Sequence, residues 1–490
     1  MQARTEEHMI DQNTLFIGGT LSPAHAPERI EVLSAATEEV IGSAPAADAD
    51  DVDAAVAAAR RAFDDPRGWS AWSPDERAAA IERFADELEA RAPQLTELVS
   101  SQNGMPIAIA GMLESGLPAT VYRYYANLIR TTELEQTRPG LLGGRAIVRQ
   151  APVGVVAAIV PWNYPNLVTA LKVAPALAAG CTVVVKPSPE TVLDSYIFAE
   201  AVVAANIPAG VINIVPGRAS TGSYLVSHPG VDKVTFTGST AVGRQIAKTC
   251  GELLRPVTLE LGGKSAAIIL DDADLTANIE GLFQATLLNN GQTCVLNGRI
   301  LVPRTRFDES LELFAGLVNG AVIGDPLDPS TQVGPLVSAA HRNRVEAHIA
   351  KAKRDGANIV AGGGRPAHLD RGWYVQPTLF SDVDPSSSLA QEEVFGPVLA
   401  LMPYDDIGQA VQIANDSAYG LAGTVWTADE SHGIKIAEQL ESGTVGVNYY
   451  MLDPVAPFGG IKASGLGREL GPEGLAACMR THTTYLSTSA

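Results

Sequence analysis

At 490 residues the chain is too long for one ordinary hydrophobic core, and two or three packed units are expected. Its 46% hydrophobic and 18% charged residues are globular in balance, and 46 Gly with 31 Pro imply many short, tight connections. Against 55 Asp and Glu there are 35 Lys and Arg; the formal net charge of -20, with no local basic patch, disfavours nucleic acid and anionic membranes as partners.

Met1 to Asn13 mix Arg, Glu, His and Asp with no apolar core, so no secretory leader is expected there. The longest uncharged apolar stretch, Val173 to Val185, lies between Lys172 and Lys186 and is broken by Pro175, Gly180 and Thr182, too short to span a bilayer. Cys181, Cys250, Cys294 and Cys478 form no CxxC pair and no His cluster accompanies them, which fits a reducing cytoplasm and gives no metal site.

In chain order, Asp48 to Phe63 and Pro74 to Val99 read as helices, so the first third is expected to open helically. From Pro152 the texture changes. Strands are predicted at Val153–Val160, Thr182–Val185, Val211–Val215, Lys233–Thr237 and Val257–Leu261, with helices at Asn166–Ala179, Val192–Ala205, Ser220–Val226 and Thr240–Lys248 between them. Apolar strands alternating with helices imply a Rossmann-like parallel sheet covered on both faces, with ligands beyond the carboxyl ends of its strands. A second α/β series follows: strand Ser265–Leu270, helix Leu275–Asn290, strand Arg299–Val302 and helix Phe307–Val318. Ala361 to Pro366 and the turns at Pro377 and Pro397 read as surface loops. Gln136–Gln150 and Met479–Ser489 alternate like strands outside either core and suggest a small projecting β element that pairs with another subunit.

Two glycine-rich segments are decoys. LELGGKS ends like a phosphate-binding loop, but Thr258 stands where its leading glycine is needed. Gly465 and Gly467 begin a GxGxxG whose third glycine is replaced by Leu470, with no strand before it, so this segment reads as a turn before a helix.

Cys294 follows a long helical stretch inside the polar turn NNGQTCVLNG, a setting that suits an accessible thiolate. Taken alone, a cysteine is more often a small buried apolar residue. Its company is informative: VTLELGGKSA, PWNYP, EEVFGP and PFGGIKASGLGRELG, with FTGSTAVG at Phe236–Gly243 and VVVKPSPET at Val183–Thr191, resemble the aldehyde dehydrogenase superfamily, in order from about Leu15 to about Ser487.

That resemblance implies a division into a cofactor-binding unit (1–133 and 152–260), a catalytic unit (261–455) and oligomerisation strands (134–151 and 476–490), with 456–475 returning to the active site. It implies that Cys294 attacks an aldehyde carbon and that the oxyanion meets the Asn163 amide and the Cys294 backbone N–H. Asn163 could otherwise cap the helix that begins near Pro165. Glu260 matches the general base for thioester hydrolysis, the alternative being a solvated strand-end acid. Lys172 and Glu469 match a buried proton path; otherwise they are a helix-surface charge and a helix-start acid.

The same resemblance assigns Val160, Pro161, Trp162, Lys186, Ser188, Gly238, Ser239, Leu261, Glu393 and Phe395 to a dinucleotide cofactor. A helix opening at Gly238–Gly243 would face the pyrophosphate. Many NAD-selective relatives carry an acid three positions after the lysine; here Pro189 stands there and Glu190 follows, so NAD is expected, with NADP the alternative. Val168, Leu171, Thr293, Val295, Met451 and Phe458 are expected to line the substrate entrance; only Thr293 among them is polar, and an uncharged aliphatic or aromatic aldehyde follows. Tyr449 and Tyr450 add polar contacts there, or else serve as core or interface rings. The competing readings are a relative that passes the acyl group to coenzyme A, a catalytically idle structural or binding protein on the same fold, and a plain thiol esterase. A homodimer or homotetramer is implied by the family.

Overall fold

Residues 9–487 are described by the computed structural model, in which the carboxyl ends of one open, largely parallel sheet face the amino ends of the strands of a second. The first has eight strands. Its centre is five parallel strands in the spatial order Val257–Glu260, Lys233–Thr237, Val155–Ile159, Thr182–Lys186 and Ile212–Ile214. These strands are buried almost throughout, as an apolar sheet covered on both faces must be. Register then does functional work: Ile159 pairs with Lys186, and Thr237 with Glu260. Segments 160–163, 186–188, 238–239 and 260–261 therefore leave the sheet side by side along one edge.

The second sheet has seven strands in the order Asn358–Ala361, Thr378–Ser381, Val398–Tyr404, Arg299–Pro303, Ala266–Ile269, Gly423–Trp426 and Gly446–Val447, all parallel except the first. A third, antiparallel sheet joins Glu135–Pro139, Arg145–Pro152 and Met479–Leu486. Ser489 lies outside the described residues. Among the described residues no helix is long and apolar enough to cross a membrane.

Local chemistry sets the helix ends. Asp48 and Asp51 exchange capping-box hydrogen bonds of 3.0 and 3.1 Å at the start of Ala49–Asp64. Every residue of Pro165–Ala179 is buried, and this helix stops at Gly180, whose φ of 96° suits glycine.

Several expectations need correction. Strands come before the first helix: Thr14–Ile17 and Thr20–Pro23 form a hairpin on the edge of the first sheet, and Arg29–Leu33 pairs with Val40–Pro45. Pro74–Val99 is not one helix, because Pro93 has no N–H to donate; Pro74–Ala90 ends, and Ala92–Asn103 starts with Pro93 in its first turn. Leu275–Asn290 shortens to Ile279–Leu287, since Asn289 and Asn290 adopt φ of 50° and 61°. Gly465–Leu466 is a short edge strand, not merely a turn, and pairs antiparallel with Val257–Glu260. A Cβ on Gly465 would sit 2.0 Å from the Leu259 carbonyl oxygen, so only glycine allows that approach. Pro377 and Pro397 are buried, each directly ahead of a core strand rather than in a surface loop.

Candidate active site

After the helix Ile279–Leu287, Asn289, Asn290 and Gly291 take left-handed φ values of 50°, 61° and 77° in succession. Asparagine tolerates this when its amide is satisfied locally. Asn290 donates to the carbonyls of Gly104 (2.8 Å) and Pro335 (2.9 Å) and accepts from the Gly334 N–H (2.6 Å). A Cβ on Gly291 would lie 2.2 Å from the Gly396 carbonyl carbon, so the two loops touch backbone to backbone. This anchored turn presents Thr293 to Leu296 half-buried, and Cys294 is the one free cysteine of four that is not fully buried.

Burial pushes the Cys294 thiol well up, Glu393 and Glu260 push the same way, and the backbone N–H groups of Cys294 and Val295 oppose them. These surroundings favour the thiol form, against the accessible thiolate expected from the sequence, and a base beside the sulfur would restore the nucleophile.

Cys294 opens into a cavity with about 950 Å³ of empty space, counting its mouth. All six expected pocket residues, Val168, Leu171, Thr293, Val295, Met451 and Phe458, line it, together with Asn163, Glu260 and Glu469, and no Lys or Arg is present in the lining. Sequence reading missed Leu113 and Leu117, which come from a π-helical turn, Gly111–Gly116, and the helix after it. It also missed Tyr164 and Leu167, although Tyr164, Leu167, Val168 and Leu171 follow helical spacing and so share one face. Tyr164 and Thr293 share a 2.7 Å hydroxyl contact, as do Tyr450 and Thr444. Tyr450 lines the cavity, whereas Tyr449 is exposed.

Asn163 does not cap the following helix. Its amide donates to the Gln292 carbonyl (3.0 Å), tying it to the cysteine turn, and Glu114 takes the cap instead, accepting from the Asn166 N–H at 2.7 Å. Glu114 is fully buried; nothing in its sequence context marked it.

Two buried carboxyls stand in contrast. Glu469 accepts from Lys172 Nζ at 2.6 Å and from the Thr235 hydroxyl at 3.2 Å, and Lys172 also donates to Thr237 Oγ1 at 2.7 Å. The Lys172 side chain has no exposed surface, so it is not a helix-surface charge, and Glu469 lies in the core ahead of the helix Gly471–Ala476. Glu260 is equally buried, yet neither of its oxygens has a hydrogen-bond partner, so it is no solvated strand-end acid. Burial, then the nearby Glu469, holds its carboxyl well above the usual carboxylate range.

The expected cofactor residues gather along the strand edges. Val160 donates its N–H to the Lys186 carbonyl at 3.2 Å, and Pro161 and Trp162 follow it half-buried. Lys186 is buried, its amine held by the Pro187 carbonyl (2.9 Å) and lowered to about 8 by burial. The Ser188 hydroxyl donates to Glu190 at 2.5 Å. Ser239 caps the helix Thr240–Glu252, accepting from the Val242 N–H at 3.4 Å. Gly238 leaves no space for a side chain above the Phe236 ring, and Leu261 packs where Gly243 lacks a Cβ. Glu393 accepts from the Gly263 N–H at 3.0 Å, and burial raises it to about 7. Phe395 stands edge-on to Trp162 with ring centroids 5.4 Å apart.

The family model for the Aldehyde dehydrogenase family matches residues 22–484. Geranial dehydrogenase of Castellaniella defragrans is 53% identical over 477 residues, covering 97% of this chain and 99% of that protein. Phenylacetaldehyde dehydrogenase of Pseudomonas fluorescens is 40% identical over 481 residues, covering 96% and 95% respectively. A crystal structure of Mycobacterium tuberculosis aldehyde dehydrogenase complexed with NAD+ superposes with a TM-score of 0.96 at 46% identity, over 98% of this chain and 99% of that one. Sequence motifs, fold and site geometry agree with these likenesses, and the chain belongs to the aldehyde dehydrogenase family.

Proposed function

We propose that this aldehyde dehydrogenase oxidises an uncharged aliphatic or aromatic aldehyde to a carboxylate through a thioester on Cys294. One observation carries the reading: a single apolar chamber contains both a half-buried thiol and a buried carboxyl with no partner. A raised, unpaired acid is costly unless it serves a proton, and here it faces the thiol that needs one removed.

NAD is the oxidant, as bound by the Mycobacterium tuberculosis relative. The residues fit such a dinucleotide: a helix N-terminus at Thr240 for the pyrophosphate, a close backbone approach at Gly238, a buried amine at Lys186, a carboxyl at Glu393 for ribose hydroxyls, and Phe395 with Trp162 as an aromatic wall. When bound, NAD supplies the hydride acceptor. Glu190, fixed by Ser188, provides negative charge near Lys186 and favours NAD over NADP.

Glu260 takes the Cys294 proton, and the thiolate adds to the aldehyde carbon. The oxyanion receives the second Asn163 N–H and the Cys294 backbone N–H; one such donor is worth about 3 to 4 kcal/mol. Once the acyl thioester has formed and the first proton has left Glu260, its carboxylate draws a proton from water as the oxygen attacks the acyl carbon, then returns that proton to the departing Cys294 sulfur, and the carboxylic acid so formed loses its own proton. Glu469 and Lys172 carry the proton onward towards a small cleft lined by Lys233, Thr258 and Arg468. Glu260 argues for water over coenzyme A as acyl acceptor, and the whole constellation argues against an idle protein.

The division into cofactor, catalytic and oligomerisation parts belongs to the same reading, as does a homo-oligomer in the cytoplasm. Leu141 and Leu142 are fully exposed, and Tyr485 is 83% exposed, all beside or on the small antiparallel sheet. The test is a panel of aldehydes with NAD and NADP followed by NADH absorbance. Uncharged aldehydes should have the highest kcat/KM, and a dicarboxylic semialdehyde leading the panel refutes the substrate class.

A further inference from the structure

Phe395 adopts φ of 57°, a left-handed conformation that a bulky side chain disfavours, so its surroundings must hold it there. Its carbonyl oxygen lies 2.7 Å from His341 Nε2, and His341 Nδ1 lies 2.7 Å from an Arg344 guanidinium nitrogen. Arginine has only donors. Nδ1 must therefore be the accepting lone pair, the ring proton sits on Nε2, and Nε2–H donates to Phe395. Burial, then Arg344, lowers the imidazole to about 4; His348 also opposes its charge, and only the Phe395 carbonyl favours it. The ring is neutral near pH 7.

The imidazole is itself fixed. His341 is in the first turn of the helix Ala339–Arg354, where its N–H donates to the capping Ser338 hydroxyl at 3.2 Å, and it is only 3% exposed. Its ring centroid lies 5.3 Å from that of Trp162 and 5.9 Å from that of Phe395, which completes a three-ring cluster. The Nε2–H bond opposes relaxation of Phe395 to negative φ, a change that would carry its ring off Trp162.

We propose that His341, fixed as the Nε2–H tautomer by Arg344, is a positioning residue that holds Phe395 left-handed and thereby sets the aromatic wall for the nicotinamide half of the cofactor. The claim rests on the reading of Phe395 as a nicotinamide contact. It predicts a selective effect: the nicotinamide half should lose affinity while the adenosine half does not.

The experiment measures Kd for NAD and for ADP by calorimetry on His341→Leu, His341→Gln and Phe395→Leu. His341→Leu should weaken NAD about tenfold, as loss of one buried hydrogen bond would, and leave ADP within about twofold. His341→Gln, which offers both a donor and an acceptor, should bind NAD nearly as the parent does. Unchanged NAD binding in His341→Leu, equal weakening of NAD and ADP, or no recovery in His341→Gln overturns the inference. If Phe395→Leu weakens NAD but His341→Leu does not, only the role of His341 falls; if Phe395→Leu leaves NAD unchanged, the nicotinamide contact is wrong and the inference goes with it. Should His341→Leu not fold, protein labelled with 15N-histidine still decides. One imidazole should be an Nε2–H tautomer that does not titrate between about pH 6 and 8, and its signal should vanish in His341→Gln. A titrating ring or an Nδ1–H tautomer there refutes the claim.

Discussion

The two sides of the Cys294 turn are built from opposite materials. On the substrate side, Leu113, Leu117, Leu167, Val168 and Leu171 form the wall, and the tyrosine hydroxyls are already engaged with Thr293 and Thr444. On the proposed cofactor side, Lys186 and Glu393 each make one bond to backbone and keep further polar capacity, beside the helix start at Thr240. On the proposed function, the first side selects by shape and by refusing charge. On the same proposal the second selects by hydrogen bonds that an ill-matched ligand leaves unmade, which is the sharper kind of discrimination.

The comparison breaks most plainly at the thiol between the two sides. Cys294→Ala should lower steady NADH formation by about four orders of magnitude or more, since a lost nucleophile has no substitute, while NAD and aldehyde still bind. Normal turnover in a folded variant would refute the covalent route. Glu260→Gln should give a burst of up to about one NADH per site and then a rate lower by roughly 10² to 10⁴. Steady turnover at the parental rate would show that another base activates water.

Lys172→Met tests the paired acid against the unpaired one. Removing one partner of a buried ion pair costs about 3 to 5 kcal/mol, read as a lower denaturant midpoint; Lys172→Met with Glu469→Gln should recover much of it. A midpoint that does not move would mean the pair is not buried in solution.

The pH dependence carries a definite sign. Because burial raises Glu260, it takes up its proton at a pH well above the ordinary 4.5, so the rate after the burst should fall on acidification at a correspondingly high pH. Glu260→Gln should lose that limb. A limb at ordinary carboxylate pH would assign the base elsewhere.

The smallest effect sharpens the substrate side. Each methylene added to a straight-chain aldehyde should raise kcat/KM about fourfold until the cavity is filled, as burial of roughly 0.8 kcal/mol per CH2 requires. A flat series would mean the chain stays in solvent.

The gathering of the proposed cofactor residues along one edge was readable from sequence because they follow strands whose period and order are plain, and register then aligns them. Val168 and Leu171 were readable for a similar reason. Leu113 and Leu117 were not, since a π-helical turn breaks the 3.6-residue spacing on which such reading depends. Glu114 and His341 escaped because each acts on a backbone far away in the chain, at Asn166 and Phe395, and no local pattern records the meeting. The state of the Cys294 thiol escaped for the converse reason: its polar neighbours in sequence suggested solvent, but the fold encloses it beside two acids.

Gly291 and Gly396 deserve a last consequence. With no room for even a methyl group between them, the loop carrying the sulfur and the loop carrying Glu393 and Phe395 share one spacer of fixed thickness. A graft that lengthens the 392–397 loop would therefore displace the sulfur as well, and an error of about 1 Å at a reacting atom can cost roughly a hundredfold in rate. On the proposed function, cofactor preference is accordingly better altered around Ser188 and Glu190, in the short turn after the strand Thr182–Lys186, which does not share that spacer.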